Sequence, residues 1–292
     1  MRVGFLGFGL IAGSIARAIR QNPSTQDWTL TAWSPRGDGP DRAAGEGVVD
    51  FAAVSAPAAV ADADLVVLGA PATACLALLD GLAGAWRSEL DSAAVVTDVA
   101  STKAAIVARA DAHGLSFVGG HPMAGLETAG YGAARADLFA GRPWVIVPGT
   151  SAPAAAVDRV RTLASACSAE VVFLDAVEHD RAVAAISHLP LVVAAALVEA
   201  VAGTPDDKRP VWPLAERLAA GGWASVTRVA RGDPAMGAAI AVTNAPVLAA
   251  RIRDLQGVLD GWLAELERAD GPDERALADR LANARAMLER DG

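Results

Sequence analysis

Up to Asp175, short runs rich in Val, Leu and Ile alternate with Ala-rich stretches whose apolar positions recur at helical spacing. The runs at 2–6, 29–33, 65–69, 95–98 and 117–119 have strand length and are bounded by turn-forming residues. Strands alternating with helical segments predict a parallel sheet covered by helices on both faces. Two later runs, 144–147 and 171–174, are expected to extend that same sheet, separated by a helix at about 153–168 with Ser151 as its cap. Beyond Asp175 the strand pattern stops. Helical segments at 182–201, 212–220, 235–261 and 273–290 predict an all-helical second domain, punctuated by Pro205, Pro210 and Pro213 and by Gly271-Pro272. The expected division is residues 1–176 and 177–292.

The first strand runs directly into Gly7-Phe8-Gly9-Leu10-Ile11-Ala12, and a helical pattern opens at Ile11. A GxGxxA element is weak evidence alone, but here it has the strand before it and the helix after it that a dinucleotide fingerprint requires. Gly7 permits the tight turn, Gly9 lets a pyrophosphate approach the backbone, and Ala12 lets the helix pack closely on the strand. The amide ends at Leu10 and Ile11 would then face phosphate. The expected fold is therefore α/β: an N-terminal Rossmann-type dinucleotide-binding domain followed by an all-helical C-terminal domain.

Where an NAD-selective site carries an acid on the ribose 2′-hydroxyl, this chain reads Ser34-Pro35-Arg36. Ser34 can donate to a 2′-phosphate and Arg36 can pair with it, so the loop favours NADP, with NAD as the alternative. The bland reading is that both are ordinary loop residues. Ala70-Pro71, leaving the third strand, would pass the nicotinamide half of the cofactor, or simply start a helix.

Composition narrows the picture. A length of 292 residues exceeds what one hydrophobic core usually fills, which fits two domains. A net charge of −9 with scattered basic residues argues against nucleic acid as a partner. Cys75 and Cys167 lie far apart with no metal-ligand spacing, so no metal site is expected and a reducing, cytoplasmic setting fits. Met1-Arg2 leads straight into a strand, so no secretory leader is expected. The segment 182–198 is apolar enough to raise a membrane question, but Ser187, His188 and Pro190 near its middle favour a buried helix.

Four further segments combine polar groups with sharp turns: Asp98-Val99-Ala100-Ser101-Thr102-Lys103, Gly120-His121-Pro122-Met123-Ala124-Gly125-Leu126-Glu127, Ser187-His188-Leu189-Pro190, and Gly221-Gly222-Trp223 with Thr227-Arg228. In this order, behind the fingerprint, they make the chain resemble the prephenate/arogenate (cyclohexadienyl) dehydrogenases of tyrosine biosynthesis. His-Pro-Met-Ala-Gly is the most specific element. The resemblance implies NAD(P)-dependent oxidative decarboxylation of a cyclohexadienol, with hydride leaving the ring carbon that bears the hydroxyl and the ring carboxylate departing as carbon dioxide.

That resemblance implies roles as well. His121, expected just past the fifth strand, would accept or polarise the hydroxyl proton. Ser101 would bond the hydroxyl or orient His121, or else cap a helix opening at Thr102. His188 would line the substrate pocket, with a satisfied core histidine as the rival reading. Arg228 suits bidentate binding of a substrate carboxylate, and Glu127 could pair with the ammonium group that distinguishes arogenate from prephenate. Lys103 is open between support of the site and a solvated charge. The match departs at Leu191, where many members carry a polar residue, and at Gly237, where an aromatic is frequent. Rival functions on the same architecture are a β-hydroxyacid dehydrogenase or imine reductase, and an NADP-binding sensor without chemistry. A homodimer formed through the helical domain is the expected assembly.

Overall fold

β-Branched and other apolar runs pair through their backbones when both their faces can be covered, and five do so here. The computed structural model describes residues 1–126 and 128–289. Strands β1 (Arg2–Leu6), β2 (Thr29–Trp33), β3 (Phe51–Ala52), β4 (Leu65–Leu68) and β5 (Val95–Asp98) form a parallel sheet in the order β3-β2-β1-β4-β5. Successive residues of a strand point to opposite faces, and both faces are covered. Val3, Phe5, Leu65 and Val67 join one core with Ile15 and Ile19. Leu6, Val66 and Leu68 join the other with Leu79 and Ile106. The crossovers are helices α1 (Leu10–Gln21), α2 (Asp38–Gly45), α3 (Ala56–Val60) and α4 (Ala72–Ala83), and α5 (Ala104–Ala112) follows β5.

The chain first adds strands on one side of β1 and then returns to add β4 on the other. That reversal leaves a crevice at the carboxyl ends of β1 and β4, where open α/β sheets bind ligands.

The expected extension of this sheet is not what forms. Strands β6 (Val118–Pro122), β7 (Pro143–Pro148) and β8 (Glu170–Phe173) make a separate three-stranded sheet, with β6 antiparallel to β7 and β7 parallel to β8. Its only pairing with the first sheet among the described residues is an isolated bridge, Val96 to Phe117. The reason lies in the connections. Helix α6 (Ala154–Ala166) carries the chain back for a parallel return, whereas the described residues between β6 and β7 hold only the short 3-10 turn Tyr131–Ala133, and the chain comes back antiparallel. Ser151 does not cap α6, whose N-cap is Pro153 without a side-chain bond.

No strand follows Phe173 among the described residues. Helix α7 (Ala176–Val183) starts earlier than the apolar pattern suggests because Asp175 and Glu178 form a capping box: the Asp175 carboxylate accepts from the Val177 and Glu178 amides, and Glu178 reaches back to the Asp175 amide. A π turn, Ala184–His188, joins α7 to α8 (Leu189–Ala202). Pro190 has no N–H to offer the carbonyl four residues back, and the helix widens where that bond is lost. Helices α9 (Trp212–Leu218), α10 (Gly221–Thr227), α11 (Pro234–Thr243), α12 (Ala245–Leu266) and α13 (Glu274–Leu288) follow. The helix expected over 235–261 is thus broken at Asn244.

Two compact units emerge, residues 1–247 and 248–292. The first therefore includes α7 to α11 as well as both sheets. Within the second, the Arg280 guanidinium donates to the Gly261 carbonyl at 2.7 Å and lies 4.4 Å from the centre of the Trp262 ring.

Candidate active site

The first turn after β1 is tight enough that only glycine fits at its start. Gly7 has φ of +87°, and a Cβ there would stand 2.7 Å from the Gly69 carbonyl oxygen. Gly9, by contrast, opens onto free space, with nothing within 4 Å of where its Cβ would be. Helix α1 begins there with no side-chain cap and no acid in its first turn, leaving its amide end available to an anion. This cradle fits a dinucleotide pyrophosphate. A Gly7→Ala change combines a left-handed conformation with that clash and is expected to cost about 1–3 kcal/mol. Fluorescence titration of the variant should show dinucleotide affinity falling at least about tenfold.

A cavity of about 580 Å³ lies in the crevice, within the size range of small-molecule sites. Gly9, Leu10 and Ile11 form one side, with Ala70 and Pro71 beside them. Ser101 and His121 face the same space, as do Ile186, Ser187 and Met236 from the helical part of the chain. Asp233, the N-cap of α11, is the only carboxylate among the described lining residues, and none of these is a lysine or arginine.

His121 lies within β6, opposite Val145, and not past the strand end as its sequence position suggested. It is 8% exposed. Its Nδ1 is 2.8 Å from His179 Nε2, with the two rings edge-on at 72°. His179 Nδ1 in turn lies 2.8 Å from the Asp180 carboxylate. Burial above all, and then the positive charge that His179, Lys103 or His188 can carry beside it, holds His121 well below the ordinary imidazole value of 6.5, so the ring is neutral at physiological pH. Burial would raise Asp180, but hydrogen bonds from His179 and from the Ala104 and Lys103 amides outweigh it and keep the carboxyl below its usual range.

Those two amides explain the neighbouring loop. Helix α5 opens at Ala104, two residues later than a Ser101 cap would set it, and no local side chain caps it. The Asp180 carboxylate does so from α7, accepting from Lys103 N at 2.7 Å and Ala104 N at 2.9 Å. Ser101 is thereby left facing the cavity. Behind it, the fully buried Lys103 pairs with the fully buried Asp98, which also accepts from the Ala100 amide at 3.0 Å and the Gly120 amide at 3.2 Å. Gly119 makes room for the lysine stem, since a Cβ there would meet its Cδ at 3.0 Å. Lys103 is therefore not a solvated charge.

The remaining candidates stand apart. His188 is buried behind the wall and does not line the cavity: its Nδ1 meets Asn244 Nδ2 at 3.2 Å, and its Nε2 has no hydrogen-bond partner. Burial is the chief cause that lowers its pKa below 6.5. Arg228 is exposed at the start of the turn Arg228–Arg231, which leads into Gly232 and Asp233 at the cavity wall. Ser34 and Arg36 follow β2, outside the cavity lining. The Arg36 guanidinium is 86% exposed and 3.7 Å from Asp38, a carboxylate the sequence reading did not weigh. Glu127 lies outside the described residues.

His179, Asp180, Asn244 and Asp98 were missed from the sequence. The one available signal was Asp175-x-x-Glu178, a capping box that starts α7 early and puts His179-Asp180 on its first turns.

Residues 15–173 match the family model described as prephenate dehydrogenase, nucleotide-binding domain, and residues 175–280 match prephenate dehydrogenase, dimerization domain. The chain is 33% identical over 265 residues to prephenate dehydrogenase of Bacillus subtilis, covering 90% of this chain and 67% of that one. It is similar to the crystal structure of Synechocystis arogenate dehydrogenase, with 30% identity, a TM-score of 0.78, and coverage of 99% of this chain and 100% of that one. The fold is also shared, at 23% identity and a TM-score of 0.86 over 100% of this chain and 98% of that one, by prephenate dehydrogenase from A. aeolicus in complex with hydroxyphenyl propionate and NAD+.

Proposed function

The chain belongs to the prephenate dehydrogenase family, and from that premise we propose that it oxidatively decarboxylates prephenate or arogenate in tyrosine biosynthesis with His121 as its proton acceptor. The observation that carries the assignment is a neutral, buried imidazole facing the same cavity as the fingerprint residues Gly9, Leu10 and Ile11.

A bound nicotinamide dinucleotide supplies the hydride acceptor. Gly7 and Gly9 would leave room for its pyrophosphate, and the α1 amides at Leu10 and Ile11 would meet its charge. Ala70 and Pro71, on the same cavity, would hold its nicotinamide half. His121 takes the proton from the substrate hydroxyl as hydride leaves the same carbon, so the alcohol carbon becomes a carbonyl. Loss of the ring carboxylate as carbon dioxide then sends the electron pair of the broken bond through the ring to the carbonyl oxygen, which takes a proton back from His121 as the ring becomes a phenol. Ser101, on the same cavity wall, bonds the hydroxyl and holds it towards His121. His188 supports this wall from behind, through its place beside the Ser101 loop.

We assign a substrate carboxylate to Arg228, since the described lining residues offer no lysine or arginine and the turn carrying Arg228 runs into the cavity wall at Gly232. Glu127 is assigned to the end of the substrate where prephenate and arogenate differ.

NADP is the proposed preference. Arg36 is exposed and its pairing with Asp38 is long, so its guanidinium is available to a 2′-phosphate beside Ser34. Arg36→Ala is expected to lower kcat/KM with NADP about tenfold while leaving that with NAD unchanged, after discounting a charge-assisted bond for its exposure. The effect should shrink as salt rises.

The division at 176/177 separates the proposed nucleotide domain from a helical domain that forms the homodimer. Residues 176–202 are long and apolar enough to cross a membrane, with only 22% of the apolar window buried within this chain. Their place inside the matched dimerization segment supports a second copy as the cover. Two buried free thiols, Cys75 and Cys167, suit the cytoplasm.

The test is reduced-cofactor formation by the purified protein with prephenate and with arogenate, each with NADP+ and with NAD+. Turnover of either substrate supports the assignment. Its absence in all four combinations would overturn it.

A further inference from the structure

A histidine can accept a proton only at a nitrogen that does not already carry one, so the tautomer of His121 decides whether it can act. Nothing on β6 sets that tautomer. The hydrogen-bond chain behind it does.

The chain is read from its charged end. The Asp180 carboxylate takes the Lys103 and Ala104 amides, both obligatory donors, and as an anion it can only accept. His179 Nδ1, 2.8 Å away, must therefore carry the hydrogen between them. In a neutral ring the opposite nitrogen, Nε2, is then a bare acceptor. His121 Nδ1 meets that nitrogen at 2.8 Å and has to donate to it, which leaves His121 Nε2 without a hydrogen.

Resting on the reaction assigned above, we propose that Asp180, acting through His179, is the positioning residue that locks His121 in its Nδ1–H tautomer and so presents Nε2 as the proton acceptor. Asp180 touches neither substrate nor cofactor. The imidazolium formed when Nε2 takes the proton keeps its Nδ1–H bond to His179, so nothing in the chain has to rearrange during the step.

The same residue fixes a second ring through its main chain. Asn244 Nδ2 donates one hydrogen to the Asp180 carbonyl at 2.9 Å and directs the other to His188 Nδ1 at 3.2 Å. The opposite amide orientation would set two carbonyl oxygens against each other. His188 therefore accepts at Nδ1 and carries its hydrogen on Nε2. Opposite tautomers in His121 and His188 are thus both traced to residue 180.

Four histidines in the whole chain make this directly observable. Long-range proton–nitrogen spectra of histidine-labelled protein, at a pH above the imidazole range, read which ring nitrogen is protonated, and His→Asn variants assign each ring. The expected result is hydrogen on Nδ1 of His121 and His179 and on Nε2 of His188. Hydrogen on Nε2 of His121, or a doubly protonated His179, overturns the proposal without any assay of activity.

Asp180→Asn is the second measurement. In either orientation its NH2 group faces one backbone donor, the Ala104 or the Lys103 amide, and in the one that donates to His179 Nδ1 it pushes the hydrogens along the chain and blocks His121 Nε2. In hydrolase triads the equivalent change costs about 10⁴ in kcat; one ring further from the chemistry, a fall of about 10–100-fold is expected. The dinucleotide KM should not change, and the His121 spectrum should switch tautomer. Lost stability with an unswitched His121 spectrum and unchanged kcat would mean that Asp180 only caps α5. If the variant does not fold, the spectrum of the unmodified protein decides. Should the unmodified protein turn over no cyclohexadienol, the functional reading falls, while the spectra still test the lock.

Discussion

His121→Asn is expected to lower kcat on the preferred cyclohexadienol by about 10²–10⁴-fold, the range that a positioned general base contributes. Asparagine is the informative replacement because its amide can still donate towards His179 Nε2, so the chain behind the site keeps a partner and β6 keeps its pairing with β7. Dinucleotide affinity should be unchanged, since Gly7, Gly9 and the first turn of α1 are untouched. A loss of binding in step with the loss of rate would mean that the substitution had disturbed the fold.

The acid limb of the pH profile gives the same assignment a second reading. With His121 held neutral chiefly by burial, kcat/KM should stay level from the alkaline side down past 6.5 and fall only below it. Stability carries a sign of its own. The folded chain excludes protons from His121 and His188 that the unfolded chain binds once the pH drops below 6.5, so their contribution to stability declines as the pH falls through that region and is constant above it. A denaturation midpoint that rose on acidification there would contradict both directions.

Lys103→Met is expected to destabilise the protein by about 3–5 kcal/mol, the cost of leaving one partner of a buried ion pair without the other. Asp98 and Lys103 are both fully buried, and the carboxylate would retain only the Ala100 and Gly120 amides. Urea titration reads the change as a shift in midpoint at constant slope. The double change Asp98→Asn with Lys103→Met should recover much of the loss, because the amide is neutral and still offers an oxygen. Activity should fall more than folding alone accounts for, since the two amides held by Asp98 belong to residues adjoining Ser101 and His121. A stability within about 0.5 kcal/mol of the parent would show that the pair is not a supporting element.

Four strands of the parallel sheet, β1, β2, β4 and β5, were legible because their information is local, whereas the two-residue β3 was not, and the run at 117–119 expected in that sheet falls on β6 of the separate one. Strand β1, the glycine turn and α1 follow one another without a gap, and each has its own period or its own required residue. The edges of the crevice were legible for the same reason, as with Leu10, Ile11, Ala70 and Pro71 on the cavity wall. What escaped depends on contacts between distant parts of the chain. Asp180 caps a helix whose first amide is 77 residues earlier, and Asn244 reaches back 64 residues to the Asp180 carbonyl. No window of sequence contains both partners. The direction of β7 escaped because strand periodicity is the same whether neighbours run parallel or antiparallel. The break at Asn244 escaped because asparagine is tolerated inside a helical pattern, and only its double donation explains why the helix stops there.

The π turn at Ala184–His188 makes this stretch unusually intolerant of a change in length. One residue more than a regular helix would use is taken up there, and each helical residue advances the chain by about 100°. Deleting any one of residues 184 to 187 would take that extra residue out of the turn, with Pro190 still leaving one helical bond unmade. His179 and Asp180 on one side would then be turned by about a quarter circle or more relative to His188 and everything after it. Point substitutions can change the exposed side chains of this segment, but the residue count between Asp180 and His188 behaves as a gear ratio: one tooth lost leaves every part intact and none of them meshing.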